Sequence, residues 1–150
     1  MTTRWPIEMQ RGEIAELLRE HGIAPTHQRL EIARVLFMRR EHLCADQLLG
    51  IVNARFSEVS KATVYNTLRR FLEKKLIREV IVDPDRVFYD PNTTPHHHFY
   101  NIVSGELTDI HGYHPQLMGM PDLPDGMAAD SIDVIVRIRP QERAAAAATM

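Results

Sequence analysis

The stretch SKATVYNTLRRFLEKKLIREVIVDPDRVFY, Ser60 to Tyr89, decides the fold. Its first half sets Val64, Leu68, Phe71 and Leu72 at helical spacing behind Ser60, whose hydroxyl can cap a first turn. The spacing predicts a helix from Lys61 to about Lys74, with Ala62, Tyr65, Asn66, Arg69 and Arg70 on its outer side. Its second half holds two β-rich runs, Ile77 to Val82 and Arg86 to Tyr89, around the turn signal Asp83-Pro84-Asp85. A helix followed directly by a hairpin is the closing half of a winged helix, with the helix as recognition element and the hairpin as wing.

Upstream, three further helices complete that module. Glu8 to His21 carries Ile14, Leu17 and Leu18 on one stripe. Thr26 is placed to cap a helix running to about Arg39, with Leu30, Ala33, Leu36 and Phe37 inward, and Ala45 to Arg55 turns Leu48, Leu49 and Val52 to the core. On the outer side of the Lys61 helix, tyrosine can pack on a thymine methyl, asparagine can read base edges, and arginine can hold phosphate or guanine. Taken alone, the same face is that of an ordinary amphipathic helix.

Downstream, Asp90-Pro91-Asn92-Thr93-Thr94-Pro95 is turn-rich and reads as a hinge. Beyond it, His97 to Val103 and Glu106 to Ile110 read as strands joined through Ser104-Gly105. Ser131 to Arg139 reads as a third, and His114 to Met120 as a short helix before the proline-rich loop Pro121 to Gly126. So small a sheet has little core of its own, and pairing its strand edge with a second copy predicts a homodimer. The expected class is α+β: a winged-helix DNA-binding domain over 1–89, a hinge over 90–95, a small α/β dimerisation and ligand-sensing domain over 96–140, and a flexible, alanine-rich tail over 141–150.

Composition narrows the classes further. Among 150 residues Cys44 is the only cysteine, which excludes a disulfide scaffold. No apolar run approaches the roughly 20 residues of a membrane span and no secretory leader is evident, so a cytoplasmic protein without a membrane partner is expected. The net charge of −2 hides an asymmetry: Met1 to Val82 holds 14 Lys or Arg against 10 Asp or Glu, whereas Asp83 to Met150 holds 4 against 10. A basic first part suits a polyanion, and an acidic, histidine-bearing second part suits a cation.

Three of eight histidines stand together as His96-His97-His98. In an extended chain His96 and His98 project to one side about 6.6 Å apart and His97 to the other. Two imidazoles do not complete a site; Asp90 across the hinge and His42 in the first domain could add a carboxylate and an imidazole. A ligand set drawn from both domains would fix their relative angle and hence the spacing of two recognition helices in a dimer on double-stranded operator DNA.

These residues resemble the ferric uptake regulator superfamily of metal-responsive transcription factors, and within it the iron response regulator branch. Gly22-Ile23-Ala24-Pro25-Thr26-His27-Gln28-Arg29 is similar to the family's first helix-turn. His42-Leu43-Cys44-Ala45-Asp46-Gln47-Leu48 resembles its histidine-led third helix, and Ala62-Thr63-Val64-Tyr65-Asn66-Thr67-Leu68 its recognition helix. The resemblance implies DNA contacts from Lys61, Thr63, Tyr65, Asn66, Arg69, Arg70 and Arg29, with Tyr65 on the bases. It also implies a regulatory divalent metal (Fe2+, Mn2+ or Zn2+) on His42, Asp90, His96 and His98, with Asp109 as an additional ligand.

Departures from the family pattern carry information. Asn101 and Ser104 stand where most members have a Cys-x-x-Cys zinc site, so no cysteine-ligated structural zinc is expected. The branch resembled also lacks that site, and its histidine triplet is associated with haem; His96, His97 and His98 beside Phe99-Tyr100 therefore imply haem binding. The branch's short cysteine-proline haem motif is missing, since Cys44 precedes Ala45. Ala24 and Asn66 replace a basic residue and an arginine common in the family, which alters the expected operator. An enzyme is not expected, because neither a His-Glu-x-x-His helix nor a second acidic cluster is evident. The reading is a repressor of iron- or haem-related genes tuned by haem or a divalent metal; a purely metal- or peroxide-responsive repressor is the alternative.

Overall fold

The computed structural model describes residues 10–39, 41–55, 59–111 and 118–142. The chain forms two compact units, Met1–Thr94 and Pro95–Met150. The class is α+β, with the helices and a hairpin in the first unit and a small three-stranded sheet in the second.

In the first unit α1 spans Arg11–Glu20, α2 His27–Met38, α3 Ala45–Arg55 and α4 Lys61–Glu73. The expected start of the first helix, Glu8, lies outside the described residues; α1 begins behind Gln10, whose backbone N–H donates to the Glu13 carboxylate at 3.0 Å. Thr26 caps α2 by accepting from the Arg29 N–H, and Ser60 caps α4 by accepting from the Thr63 N–H at 3.1 Å. Both α1 and α4 close in a left-handed turn: Gly22 does so with φ 72°, and Lys75 does so with φ 58° although it carries a side chain. Ile14, Leu18, Ile32, Ala33, Leu36, Leu48, Val52, Val64, Leu68 and Phe71 fuse into one core. Phe71 is fully buried, and its truncation to alanine would cost about 3–5 kcal/mol.

The hairpin pairs β1 (Arg78–Asp83) with β2 (Arg86–Asp90) in antiparallel register, Arg78 opposite Asp90 and Val80 opposite Phe88, with an irregularity between Ile81 and Asp83. A further bridge was not legible in the sequence: Leu43, just ahead of α3, pairs with Tyr89, whose N–H donates to the Leu43 carbonyl at 2.9 Å. The wing is thereby bonded to the helical body.

In the second unit β3 (His98–Asn101) lies between β4 (Leu107–Asp109), antiparallel, and β5 (Ile135–Ile138), parallel. All three strands are shorter than expected, and one turn explains much of it. The Asn101 side chain accepts from the N–H groups of Val103 and Ser104, and its carbonyl accepts from Gly105, so the chain leaves the ladder at Asn101 rather than Val103. A four-residue central strand can pair with only four residues of β5 instead of the expected Ser131 to Arg139. Of the expected helix His114 to Met120, residues 114–117 lie outside the described residues and Met118, Gly119 and Met120 are not helical; the Ala144 to Ala148 tail also lies outside them. Among the described residues no helix is long and apolar enough to cross a membrane.

Candidate functional site

Each unit brings together side chains of types able to ligate a metal. In the first unit the Leu43–Tyr89 bridge sets their neighbours, His42 and Asp90, side by side, with Nδ1 3.9 Å from Oδ1. Both are buried, Asp90 completely, and Oδ1 of Asp90 also accepts from the Asn92 N–H at 2.9 Å. A carboxylate removed from water is costly unless a positive partner compensates it, and either a protonated imidazole or a bound cation does so.

In the second unit the β3–β4 register places His98 opposite Asp109. Oδ1 of Asp109 lies 3.2 Å from Nε2 of His98 and 3.5 Å from Nε2 of His96. The two imidazoles are tilted against each other with ring centres 4.5 Å apart, and both are buried. Two imidazole nitrogens and one carboxylate oxygen converge here, a donor set that fits Fe2+, Mn2+ or Zn2+.

His97 does something different. Its Nδ1 accepts the Val134 N–H at 3.1 Å, tying the approach to β5 onto the chain entering β3. Accepting at Nδ1 puts the proton of the neutral ring on Nε2. The triplet therefore divides into His96 and His98 on Asp109, and His97 on the backbone.

The face of α4 is the second candidate surface. Lys61, Ala62, Tyr65, Asn66, Arg69 and Arg70 are exposed, whereas Val64, Thr67, Leu68 and Phe71 are buried. Thr63 is half-buried and engaged in the cap, with its hydroxyl 2.9 Å from that of Ser60. The ammonium of Lys61 stands 5.8 Å from the Tyr65 ring centre and 3.7 Å from the Asp46 carboxylate. Arg29, on α2, is half-buried and donates to the Ala24 carbonyl at 3.0 Å. Asp46 beside Lys61 was missed in the sequence, because only the packing of α3 against α4 brings the two together. Missed too was a cavity of about 490 Å³ whose lining includes Cys44, Tyr65, Arg86 and Tyr89.

With this geometry in place, comparisons with known proteins bear on its meaning. The family model described as the ferric uptake regulator family matches residues 9–116. The peroxide-responsive repressor PerR of Staphylococcus epidermidis is 32% identical over 111 residues, 74% of this chain and 73% of that protein. PerR of Staphylococcus aureus strain COL is likewise 32% identical over 111 residues, 74% of each chain. Among solved structures, a zinc-bound manganese uptake regulator superposes with a TM-score of 0.62 at 22% identity, covering 85% of this chain and 98% of that one. The Vibrio cholerae ferric uptake regulator does so with a TM-score of 0.64 at 15% identity, covering 84% and 98%. At such identities the structural likeness speaks for the fold.

Proposed function

Because this chain belongs to the ferric uptake regulator family, whose members are metal-responsive transcription regulators and not enzymes, we propose that it is a DNA-binding repressor of iron-related genes whose operator affinity is set by a divalent metal. The observation that carries this reading is the convergence of His96 and His98 on one oxygen of Asp109. His96, His98 and Asp109 would hold the ion, and His42 with Asp90 would form the first unit's own pair of candidate ligands. A bound ion would supply positive charge that compensates the Asp109 carboxylate; the chain's own residues do the rest. Lys61, Arg69, Arg70 and Arg29 attract phosphate, Thr63 holds the start of α4, and Tyr65 and Asn66 face the bases.

A second copy completes the molecule. Among the described residues β5 is an edge strand, and Val136 and Ile138 on it are more than a third exposed. Pairing or packing this edge against another copy covers apolar surface that a single chain leaves in water, and gives a homodimer that offers two α4 helices to the operator. The place of action is the cytoplasm, where the operator is.

Within the family, the iron response regulator branch is the finer assignment, supported by Asn101 and Ser104 in place of a thiolate zinc site and by the histidine triplet. Haem on His96, His97 and His98 is the ligand that assignment would add. The His97 bond to Val134 weighs against all three rings acting together, so the divalent ion is the preferred ligand. A peroxide-responsive repressor is the second reading, favoured by the 32% identity to PerR.

The test is a titration of the chelator-treated full chain with Mn2+, with haem, and with Fe2+ followed by peroxide, while binding to a fluorescent duplex enriched from random sequence is followed. Tightening of DNA binding by Mn2+, lost in His98→Ala, supports the metal reading. A saturable Soret shift lost on replacing the triplet would move the assignment to haem. Oxidation of a ligand histidine found by mass spectrometry, with release of DNA, would move it to peroxide sensing. No dependence of DNA binding on any of the three would defeat the proposal.

A further inference from the structure

His97 is the member of the triplet that the divalent-metal site leaves out, and it stands between the two that the site uses. His96 and His98 bring Nε2 to 3.5 and 3.2 Å from Oδ1 of Asp109. His97 instead accepts the Val134 N–H at Nδ1, at 3.1 Å and across 37 residues of sequence. The Val134 carbonyl accepts the His98 N–H at 3.2 Å. The residue just ahead of β5 is thus gripped at both of its backbone polar groups by two successive histidines.

β5 has little else to hold its entry. Residues 118–133 are exposed throughout, Val134 and Ile135 are half-buried, and the other three residues of β5 are exposed. Apolar burial therefore contributes little to docking this strand. Its place on β3 rests on the parallel ladder, from His98 opposite Ile135 to Asn101 opposite Ile138, and on the backbone bonds that Val134 and Ile138 make at its two ends. Parallel pairing is the weaker kind per residue, so a side-chain hydrogen bond at the strand's entry weighs more here than it would on a buried strand.

We propose, on the divalent-metal reading of His96, His98 and Asp109, that His97 is a positioning residue that couples occupancy of that site to the docking of β5. Holding His96 and His98 on one ion would fix the backbone on either side of His97, and with it the direction in which the imidazole projects. A backbone turn at His97 that swings Nδ1 away from Val134 also carries its neighbours off Asp109. A segment already ordered by one contact costs less to order for the next. The ion and β5 therefore favour each other, by the same factor in both directions. In the proposed dimer this brings the state of the ion site to Val136 and Ile138, on the edge that a second copy covers.

Hydrogen–deuterium exchange of the full chain over residues 131–139, read by mass spectrometry without metal and at saturating Mn2+, tests the role. The amide oxygen of asparagine lies as many bonds from the backbone as Nδ1 of histidine, and that of glutamine lies one bond further. His97→Asn therefore restores the acceptor, whereas His97→Gln and His97→Leu do not. Without metal, the segment should exchange about fivefold faster in the glutamine and leucine variants, the scale of one lost hydrogen bond, and at the parent rate in His97→Asn. Mn2+ should slow exchange on the order of tenfold in the parent and His97→Asn, and hardly at all in the other two, whose Mn2+ affinity by calorimetry should be lower by that same factor. Exchange over α4 should be alike in all four, which shows that the variants are folded. Equal metal-free rates over residues 131–139 in all four would overturn the docking role, and equal slowing by Mn2+ in the parent and His97→Leu would overturn the coupling. Failure of the parent to bind Mn2+ would overturn the metal reading and the coupling with it, while the metal-free rates still decide whether His97 docks β5.

Discussion

His98 and Asp109 face each other across the β3–β4 pair with Nε2 and Oδ1 3.2 Å apart, a meeting set by the register of the sheet. Replacing Asp109 by asparagine keeps the shape of the side chain and removes its charge. Mn2+ affinity measured by calorimetry should fall at least tenfold, while Asp125→Asn, an exposed change in the loop before β5, should leave it unaltered. Equal affinities for Asp109→Asn and the parent chain would remove Asp109 from the ligand set.

The exposed face of α4 carries both Tyr65 with Asn66 and Arg69 with Arg70, so under the proposed function base reading and phosphate attraction should come apart. Arg69→Ala should lower the steepness of the salt dependence by about one ion released, weakening all duplexes alike. Tyr65→Ala should leave that slope alone and reduce discrimination between the enriched duplex and a scrambled one by roughly 1–3 kcal/mol. A loss of Mn2+ binding together with DNA binding in Tyr65→Ala would show that the substitution damages the fold rather than the interface.

These two clusters differ in how far the sequence exposed them. Val64, Leu68 and Phe71 are spaced within one helix, and the hairpin is punctuated by Asp83-Pro84-Asp85, so the winged helix could be read from neighbours along the chain. The opposite orientation of His97 to His96 and His98 follows from strand alternation alone. Asp109 does not follow from spacing, because its meeting with His98 depends on a turn whose geometry the Asn101 side chain sets. The Leu43–Tyr89 bridge, the parallel pairing of β5, and the bond from Val134 to His97 join segments far apart in sequence, where no local pattern registers.

The raised pKa of Tyr89 has a consequence for stability at alkaline pH. Its native state holds the phenolic proton more tightly than the unfolded chain does. The resulting stabilisation is complete below the unfolded value of about 10 and is lost as pH rises through the higher folded value. Tyr89→Phe cannot lose it, so denaturation midpoints of the parent chain should fall more steeply above that pH than those of the variant. Parallel curves would mean that the phenol ionises as easily folded as unfolded.

The outer side of β5, an edge among the described residues, makes a separate prediction. Val136 and Ile138 are 39% and 37% exposed in a single chain. If a second copy covers them, Val136→Asp should place a charge in that contact and shift the dimer toward monomer in light scattering or sedimentation. The monomer should retain the helical signal of the first unit, which has its own core. An unchanged mass would show that the dimer uses another surface.

Lys75 offers a test that involves no ligand at all. It closes α4 at φ 58°, with its own N–H donating to the Leu72 carbonyl at 3.0 Å and the Leu76 N–H donating to Phe71 at 2.9 Å. That hydrogen-bond pattern requires the left-handed conformation at this position, which costs a residue bearing a Cβ about 1 kcal/mol and glycine essentially nothing. Gly22 makes the same closure at the end of α1 without the strain. Lys75→Gly should therefore stabilise the first unit, although it loosens the unfolded chain and deletes a charge. Those opposing effects leave a gain of a few tenths to 1 kcal/mol, or a rise of a few degrees in Tm for a unit of this size. Lys75→Ala keeps the Cβ and should show none of it; a variant with alanine as stable as the one with glycine would mean that the left-handed turn is not what limits this helix end.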